Sequence, residues 1–203
     1  MGNFPVLTTA CLPPTGYIKT ILQHGGAVID EHEHFVKQTI RNHYKKLRAN
    51  GVIKITVPII HLAPKMPVCE VKISYSEPWQ RLHLSAIKSA YGRAPFFQDY
   101  FPQLERILLE SPCLLKELNR QLIAWIFKCM NVSPELFFTD QYCYHENDLR
   151  TATEKHADYF SEISDNISYV QVFADRFPFT KNLSVIDLIF NCGNAAAEKL
   201  IRS

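Results

Sequence analysis

Glu31-His-Glu-His-Phe-Val-Lys-Gln-Thr-Ile-Arg-Asn-His-Tyr-Lys-Lys-Leu-Arg-Ala-Asn-Gly51 is the stretch from which the rest of the chain can be read. It crowds carboxylates, imidazoles, lysines, a glutamine, arginines and asparagines into one polar segment between two apolar ones. So many kinds of polar group exceed what covering a surface requires, and they have the character of a site for a small polar molecule. The stretch ends in a turn. Asn50-Gly51 lies between His43–Arg48 and Val52–Ile59, and Asn-Gly is the preferred type I′ hairpin dipeptide. Beyond it Lys54, Thr56 and Pro58 alternate with Ile53, Ile55 and Val57, the period of a strand with one wet face. Such a hairpin is expected to hold Lys37, Gln38, Arg41 and Asn42 at a sheet edge.

Working back, Phe4–Leu12 is apolar and closed by Pro13-Pro14, which reads as a central strand feeding a loop. A short helix over Ile18–His24 follows, broken by Gly25-Gly26. Ala27–Asp30 is a second strand that ends in acids, where open α/β sheets place their ligands. Working forward, 61–67 is a proline-bearing connector and Val71–Ser74 a short strand. The pattern then turns helical. Pro78 opens a helix carrying Trp79, Leu82, Ala86, Ile87 and Ala90, Pro95 opens a second with Phe97, Phe101 and Leu104, and a third starts near Leu114. Leu136–Phe138 and Ser168–Phe173 have strand composition. The N-terminal strand, the hairpin and the Val170 strand are expected to share one sheet. Ser184 with Asp187 spells a capping box, Leu183 with Leu188 a hydrophobic staple, and Gly193 a helix stop. The expected fold class is α/β: a mixed sheet with a β-hairpin and a packed bundle of about three helices. It forms a single domain over residues 1–203, within which 78–130 could be a helical subdomain.

With 203 residues, 47% hydrophobic and 21% charged, the chain has the composition of a soluble globular protein, and thirteen Phe and nine Tyr supply a core. A net charge of +2 does not point to nucleic acid. There is no signal-peptide pattern and no apolar run near the roughly 20 residues that span a bilayer, so a cytoplasmic protein without stable membrane insertion is expected. Six cysteines, none in a C-x-x-C pair, read as reduced buried thiols.

His32 and His34 would share a strand face, but zinc-type ligand spacing is absent and no metal is expected. Arg41 has the fork to grip a carboxylate or phosphate, with Lys37 adding a point charge; the bland alternative is a solvated loop. His83 lies one turn from Trp79 and Ile87, more in the manner of a satisfied core histidine than of a general base. Tyr91, Phe96, Phe97 and Tyr100 form either a helix-corner core or a stacking platform. Asp187 is explained by capping. No G-x-G-x-x-G, Walker A or G-x-S-x-G motif occurs, and no cofactor is indicated.

Taken in order, Leu12-Pro-Pro-Thr-Gly-Tyr17, Glu33-His-Phe-Val-Lys-Gln-Thr-Ile-Arg-Asn42, Asn50-Gly51, Thr56-Val-Pro58, Trp79, and Ala90-Tyr-Gly-Arg-Ala-Pro-Phe-Phe97 resemble the WbqC-like protein family. So do Gln171, Phe173 and Leu183–Gly193. The resemblance covers nearly the whole chain, and departs from it at Leu7-Thr8-Thr9, where many members have His-Gln-Pro, and at His43, where many have arginine. It implies a bacterial protein of O-antigen and surface-polysaccharide gene clusters, for which a role as a glycine (aminoacyl) transferase has been suggested.

Three function classes follow. The first is a transferase placing an aminoacyl or acyl group on a sugar precursor. His34 or His83 would be the base. Lys37, Gln38 and Arg41 would bind the anionic donor or nucleotide phosphate, Asn42 would orient the acceptor, and Tyr17, Trp79 and Tyr91 would line the cleft. Its partners would be a nucleotide-linked or lipid-linked sugar and an activated acyl donor, with a homodimer left open. The second is a non-catalytic carbohydrate- or nucleotide-binding protein of the same pathway. The third is a structural partner within a biosynthetic complex. On the first, Arg41→Ala is expected to weaken anion binding and leave stability almost intact.

Overall fold

A computed structural model describes residues 4–60, 63–142, 144, 146–150 and 159–203. It is a mixed α/β fold. Val6–Thr8 (β1), Gly26–Asp30 (β2) and Glu135–Phe138 (β5) form a parallel sheet in the order β1-β2-β5, with Val6 opposite Val28 and Ala27 opposite Leu136. β1 and β2 are buried along their whole length, as an apolar run in a parallel sheet covered on both faces should be. β2 has a strand on either side. β1 is only three residues long, and its other side is bridged at Val6 by Asp148, with Val6 N–H donating to the Asn147 carbonyl at 2.9 Å and Leu149 N–H to the Val6 carbonyl at 2.8 Å, so the N-terminal strand is flanked on both sides as expected. Helix α1 (Thr15–Gln23) links β1 to β2 and is buried from Thr15 to Ile21.

The hairpin forms as its sequence predicts, from His43–Arg48 (β3) and Gly51–Thr56 (β4), but as a separate two-stranded sheet. Its turn differs too. Arg48 pairs with Gly51 across Ala49-Asn50, and of the three residues 49–51 only Gly51 has positive φ, at 105°. A type I′ turn needs positive φ at both central residues, so the glycine here absorbs the left-handed position just after the turn. Val71–Ser74 makes only isolated bridges, Lys72 to Leu114 and Ile73 to Ile59. Part of the expected 61–67 connector, His61 and Leu62, lies outside the described residues, as does Cys143; the other cysteines are unpaired.

The helices come as their apolar spacing predicts: α2 (Trp79–Tyr91), α3 (Phe97–Leu109) and α4 (Leu115–Cys129). They are more than a three-helix bundle, because α5 (Tyr159–Ile163), α6 (Val185–Cys192) and α7 (Ala196–Ile201) join them. α6 is buried from Val185 to Phe190, and Phe190 meets Tyr91, Phe97 and Trp125 with ring centroids 5.4, 5.2 and 6.5 Å away. One continuous apolar cluster runs from Leu7 and Ile29 of the sheet to Trp125 and Phe190.

Two further expectations fail for a shared reason. Residues 168–173 form no strand, and Val170 is 79% exposed. The Gln171 amide is instead spent on Thr180, donating to its carbonyl and accepting from its N–H, and donates as well to Asp187. Asp187 therefore does not close a capping box. It is buried and accepts hydrogen bonds from Tyr169 Oη at 2.6 Å and Gln171 Nε2 at 3.0 Å, while Ser184 Oγ donates to the Leu12 carbonyl at 2.8 Å. Gly193, at φ 60°, does end α6.

The approach of α1 to α5 leaves no room for a side chain at Gly16: a Cβ there would lie 2.0 Å from the Phe160 carbonyl oxygen. Backbone cannot yield as a side chain can, so Gly16→Ala should lower the unfolding free energy by roughly 2–4 kcal/mol in urea titrations. Gly25→Ala, at a position with open space but φ 71°, should cost less; equal losses would contradict the close-packed contact.

Candidate functional site

Three acids follow one another out of the centre of the sheet, and each is buried against an arginine. Asp30 pairs with Arg150. Glu31 takes the Arg120 fork at 2.8 and 2.6 Å. Glu33 takes the Arg41 fork at 3.0 and 2.7 Å. Arg41 also donates to Thr39 Oγ1 at 3.0 Å and is fully buried. Thr8 Oγ1 donates to Glu33, and the Tyr17 hydroxyl donates to the Thr8 carbonyl at 2.7 Å. Tyr17 and Arg41 are thus brought together, as the sequence suggested, but in a closed polar network rather than on a cleft wall. Asn42 adjoins them, donating to the Val57 carbonyl at 3.0 Å.

The other expected residues divide. His83 donates Nε2–H to the Thr56 carbonyl at 3.1 Å and meets the Tyr44 hydroxyl through Nδ1 at 3.4 Å; burial holds its pKa down to about 4. Trp79 packs edge-on to it at 4.9 Å, and Tyr91 is buried against Phe190. These three are core residues. His34 and Lys37 are exposed. Gln38, by contrast, lines a cavity that the other expected residues do not. Among the described residues no group of three or more His, Cys, Asp or Glu is placed to hold a metal.

That cavity, of about 200 Å³, lies between the outer face of the hairpin and the chain segments packed on it. Hairpin pairing sets the face: Lys45 lies opposite Lys54, and His43, two residues before Lys45, lies opposite Thr56. His43, Lys45 and Lys54 line it from the hairpin, Gln38 and Ile40 from the segment before it, and Leu12, Phe160, Asn182 and Ser184 are among the residues of the remaining wall. The surrounding backbone is stitched together. Cys11 N–H donates to the Ile40 carbonyl at 2.8 Å, Ser184 N–H to the Lys45 carbonyl at 2.9 Å, and Val185 N–H to the Pro13 carbonyl at 2.8 Å. The cavity is therefore preformed.

Two features mark it as more than a packing defect. Six described non-glycine residues have positive φ, and three of them, Leu12 (45°), Gln38 (61°) and Asn182 (51°), line this cavity. Left-handed backbone costs about 1–3 kcal/mol per non-glycine residue and gathers at functional sites. The second feature is His43. It is 5% exposed, and its Nδ1 is buried without a hydrogen-bond partner among the described residues. Burial first, then the ammonium groups of Lys54 and Lys45, hold its pKa down to about 4, so the imidazole is neutral at pH 7. A neutral ring nitrogen can take a proton, and the two lysines offer positive potential beside it.

Sequence reasoning missed His43, Lys45 and Lys54 although all three stand in or beside the opening stretch. Counting alternate residues back from the Asn50-Gly51 turn would have put them on one face. Nothing in the sequence announces the backbone at Leu12 or Asn182.

Two outcomes follow. Arg41→Ala strands a buried carboxylate, so it should destabilise by about 3–5 kcal/mol, contrary to the mild effect expected from the sequence, and Glu33→Gln added to it should recover part of the loss in urea titrations. Both His43 and His83 are held near 4, below the ordinary 6.5 of an unfolded chain. The unfolded state then binds more protons between these values, so stability is full above pH 6.5 and falls toward pH 4. His83→Gln should flatten that fall; an unchanged slope would contradict the neutral buried imidazole.

The model of the WbqC-like protein family matches residues 9–159, about three quarters of the chain. It spans Leu12, Gln38, His43, Lys45 and Lys54 and stops before Asn182, so the Gln171–Gly193 motifs lie outside it. No curated protein and no solved structure matches. With β2, β5, the hairpin and most of its cavity wall inside the matched region, the chain belongs to the WbqC-like protein family.

Proposed function

We propose that this protein transfers an acyl group, with an aminoacyl group such as glycyl as the leading case, to the amine of a sugar precursor for bacterial surface polysaccharide. The transfer takes place in the cavity on the outer face of the hairpin. One observation carries the reading: strained backbone at Leu12, Gln38 and Asn182 converges with a neutral buried imidazole and two lysines on one preformed cavity. The base expected at His34 or His83 is reassigned to His43, because His34 lies outside the cavity and both nitrogens of His83 face core partners. Since many chains that this one resembles have arginine at this position, the role is proposed for this chain and not for the family.

In this reading the acceptor amine attacks the acyl carbon, forming a C–N bond. His43 takes the amine proton, the carbon–leaving-group bond breaks, and the proton passes on to the leaving group. The Gln38 amide donates to the oxyanion that develops meanwhile. About 200 Å³ is below the ~300–1,000 Å³ that holds a whole drug-sized ligand, so only the reacting ends enter and the carriers lie outside. Sugar precursors of this kind are built in the cytoplasm, and the reading places the protein there.

A second reading, non-catalytic binding of a sugar precursor, is favoured by one feature: among the described residues no carboxylate hydrogen-bonds His43, and its Nδ1 has no partner. Mass spectrometry of amino-sugar nucleotides incubated with aminoacyl and acyl thioesters separates the two. Transfer by the native chain, falling about 10²–10⁴-fold in His43→Gln with acceptor binding retained, is the expected result. Binding of the acceptor without product from any donor would leave the binding reading in place of the enzyme.

A further inference from the structure

We infer that Lys45 and Lys54 form a phosphate-binding subsite at the mouth of the cavity, holding the phosphate of whichever ligand carries one while its reacting end lies inside. This inference rests on the cavity's being the functional site.

The register puts the two lysines directly opposite each other on neighbouring antiparallel strands. Side chains so placed have Cβ atoms about 4.5–5.5 Å apart, and like charges there repel. The chain has 20 acidic residues, yet among the described residues none makes a salt bridge to either lysine. The other two basic residues of β3 do not share the pair's face. Lys46, next in sequence, turns to the other face, where it is buried and donates to the Ala86 carbonyl at 2.7 Å. Arg48 pairs with Gly51 on that same face as Lys46. Lys45 and Lys54 are exposed and line the cavity. The same cavity is lined by His43, more than nine-tenths buried, with a nitrogen that no group among the described residues satisfies. Two opposed ammonium groups at an entrance fit a dianion: each donates to different oxygens of one phosphate, and the repulsion between them is relieved only when it binds. The field of both lysines reaches the imidazole, so a bound dianion also strengthens His43 as a base.

The test is calorimetry of the full chain with inorganic pyrophosphate, uridine diphosphate and coenzyme A, repeated on Lys45→Gln, Lys54→Gln and, as the other-face control, Arg48→Gln. Circular-dichroism melts would confirm that each variant folds. The inference expects each lysine variant to weaken pyrophosphate at least about tenfold and Arg48→Gln to leave it within twofold. The His43 imidazole resonance should titrate at higher pH when pyrophosphate is bound. Tighter uridine diphosphate than coenzyme A would put the phosphate on the sugar acceptor, and the reverse on the acyl donor. Undiminished pyrophosphate binding in Lys45→Gln and Lys54→Gln, or an equal loss in Arg48→Gln, would overturn the subsite. Transfer that depends on His43 but not on either lysine would remove the subsite and leave the proposed function. Lysine-dependent pyrophosphate binding without any transfer would do the opposite.

Discussion

Buried carboxylates leaving the central strand, each held by an arginine, are the constraint on which the other parts of this structure depend. Asp30, Glu31 and Glu33 are all nearly inaccessible. A buried ion pair adds little net stability, because desolvating two charges offsets most of their attraction. Breaking one is costly, and that asymmetry makes such pairs good at specifying position. Arg150 ties the segment beside β1 to the end of β2, Arg120 ties α4 to it, and Arg41 folds residues 33–41 back on themselves. The Arg41 carbonyl in turn accepts from Asn119 of α4 at 2.9 Å. Residue 43, where β3 begins, is only two positions beyond this anchor, so the hairpin is delivered to its place by the network that buries the acids.

What the network holds is a cavity whose wall comes from distant parts of the chain. The loop after β1, the segment before β3, the hairpin face and the start of α6 meet there, joined by backbone hydrogen bonds. That arrangement accounts for the left-handed residues. Leu12 must turn the chain while its carbonyl accepts from Ser184, and Asn182 must turn it while its side chain accepts from Gly16 N–H at 3.1 Å. The strain is maintained because each turn is over-determined by its partners. The same packing that dries His43 also keeps it neutral, and two lysines that would otherwise repel each other stand beside it. Neutral base and positive field then coexist in one small space, the combination that acyl transfer to an amine calls for.

Legibility followed the physics of each signal. The helices at Trp79, Phe97 and Leu115 and the hairpin were readable because burial imposes periods of 3.6 and 2 on the sequence. The Val170 segment was not, because Val, Tyr and Phe favour strands only where a ladder is available, and Gln171 commits that stretch to Thr180 and Asp187. Arg41 was read correctly as a fork that grips a carboxylate, but its partner is Glu33, eight residues earlier, rather than a ligand. Asp187 shows the converse: the spacing from Ser184 fits a cap, while the Tyr169 hydroxyl claims the carboxylate. Lys45 and Lys54 needed the strand register, and Leu12 and Asn182 needed backbone angles that no composition encodes.

The central claim is that the cavity faced by His43, Lys45 and Lys54 is where this protein meets its substrate. A crystal structure with an amino-sugar nucleotide at saturating concentration tests it most directly. The account predicts density that enters between Lys45 and Lys54, with the sugar amine within hydrogen-bond reach of the His43 ring. Density seated elsewhere, for instance in the cleft between Arg93 and Lys199, with the His43 cavity empty, would contradict it.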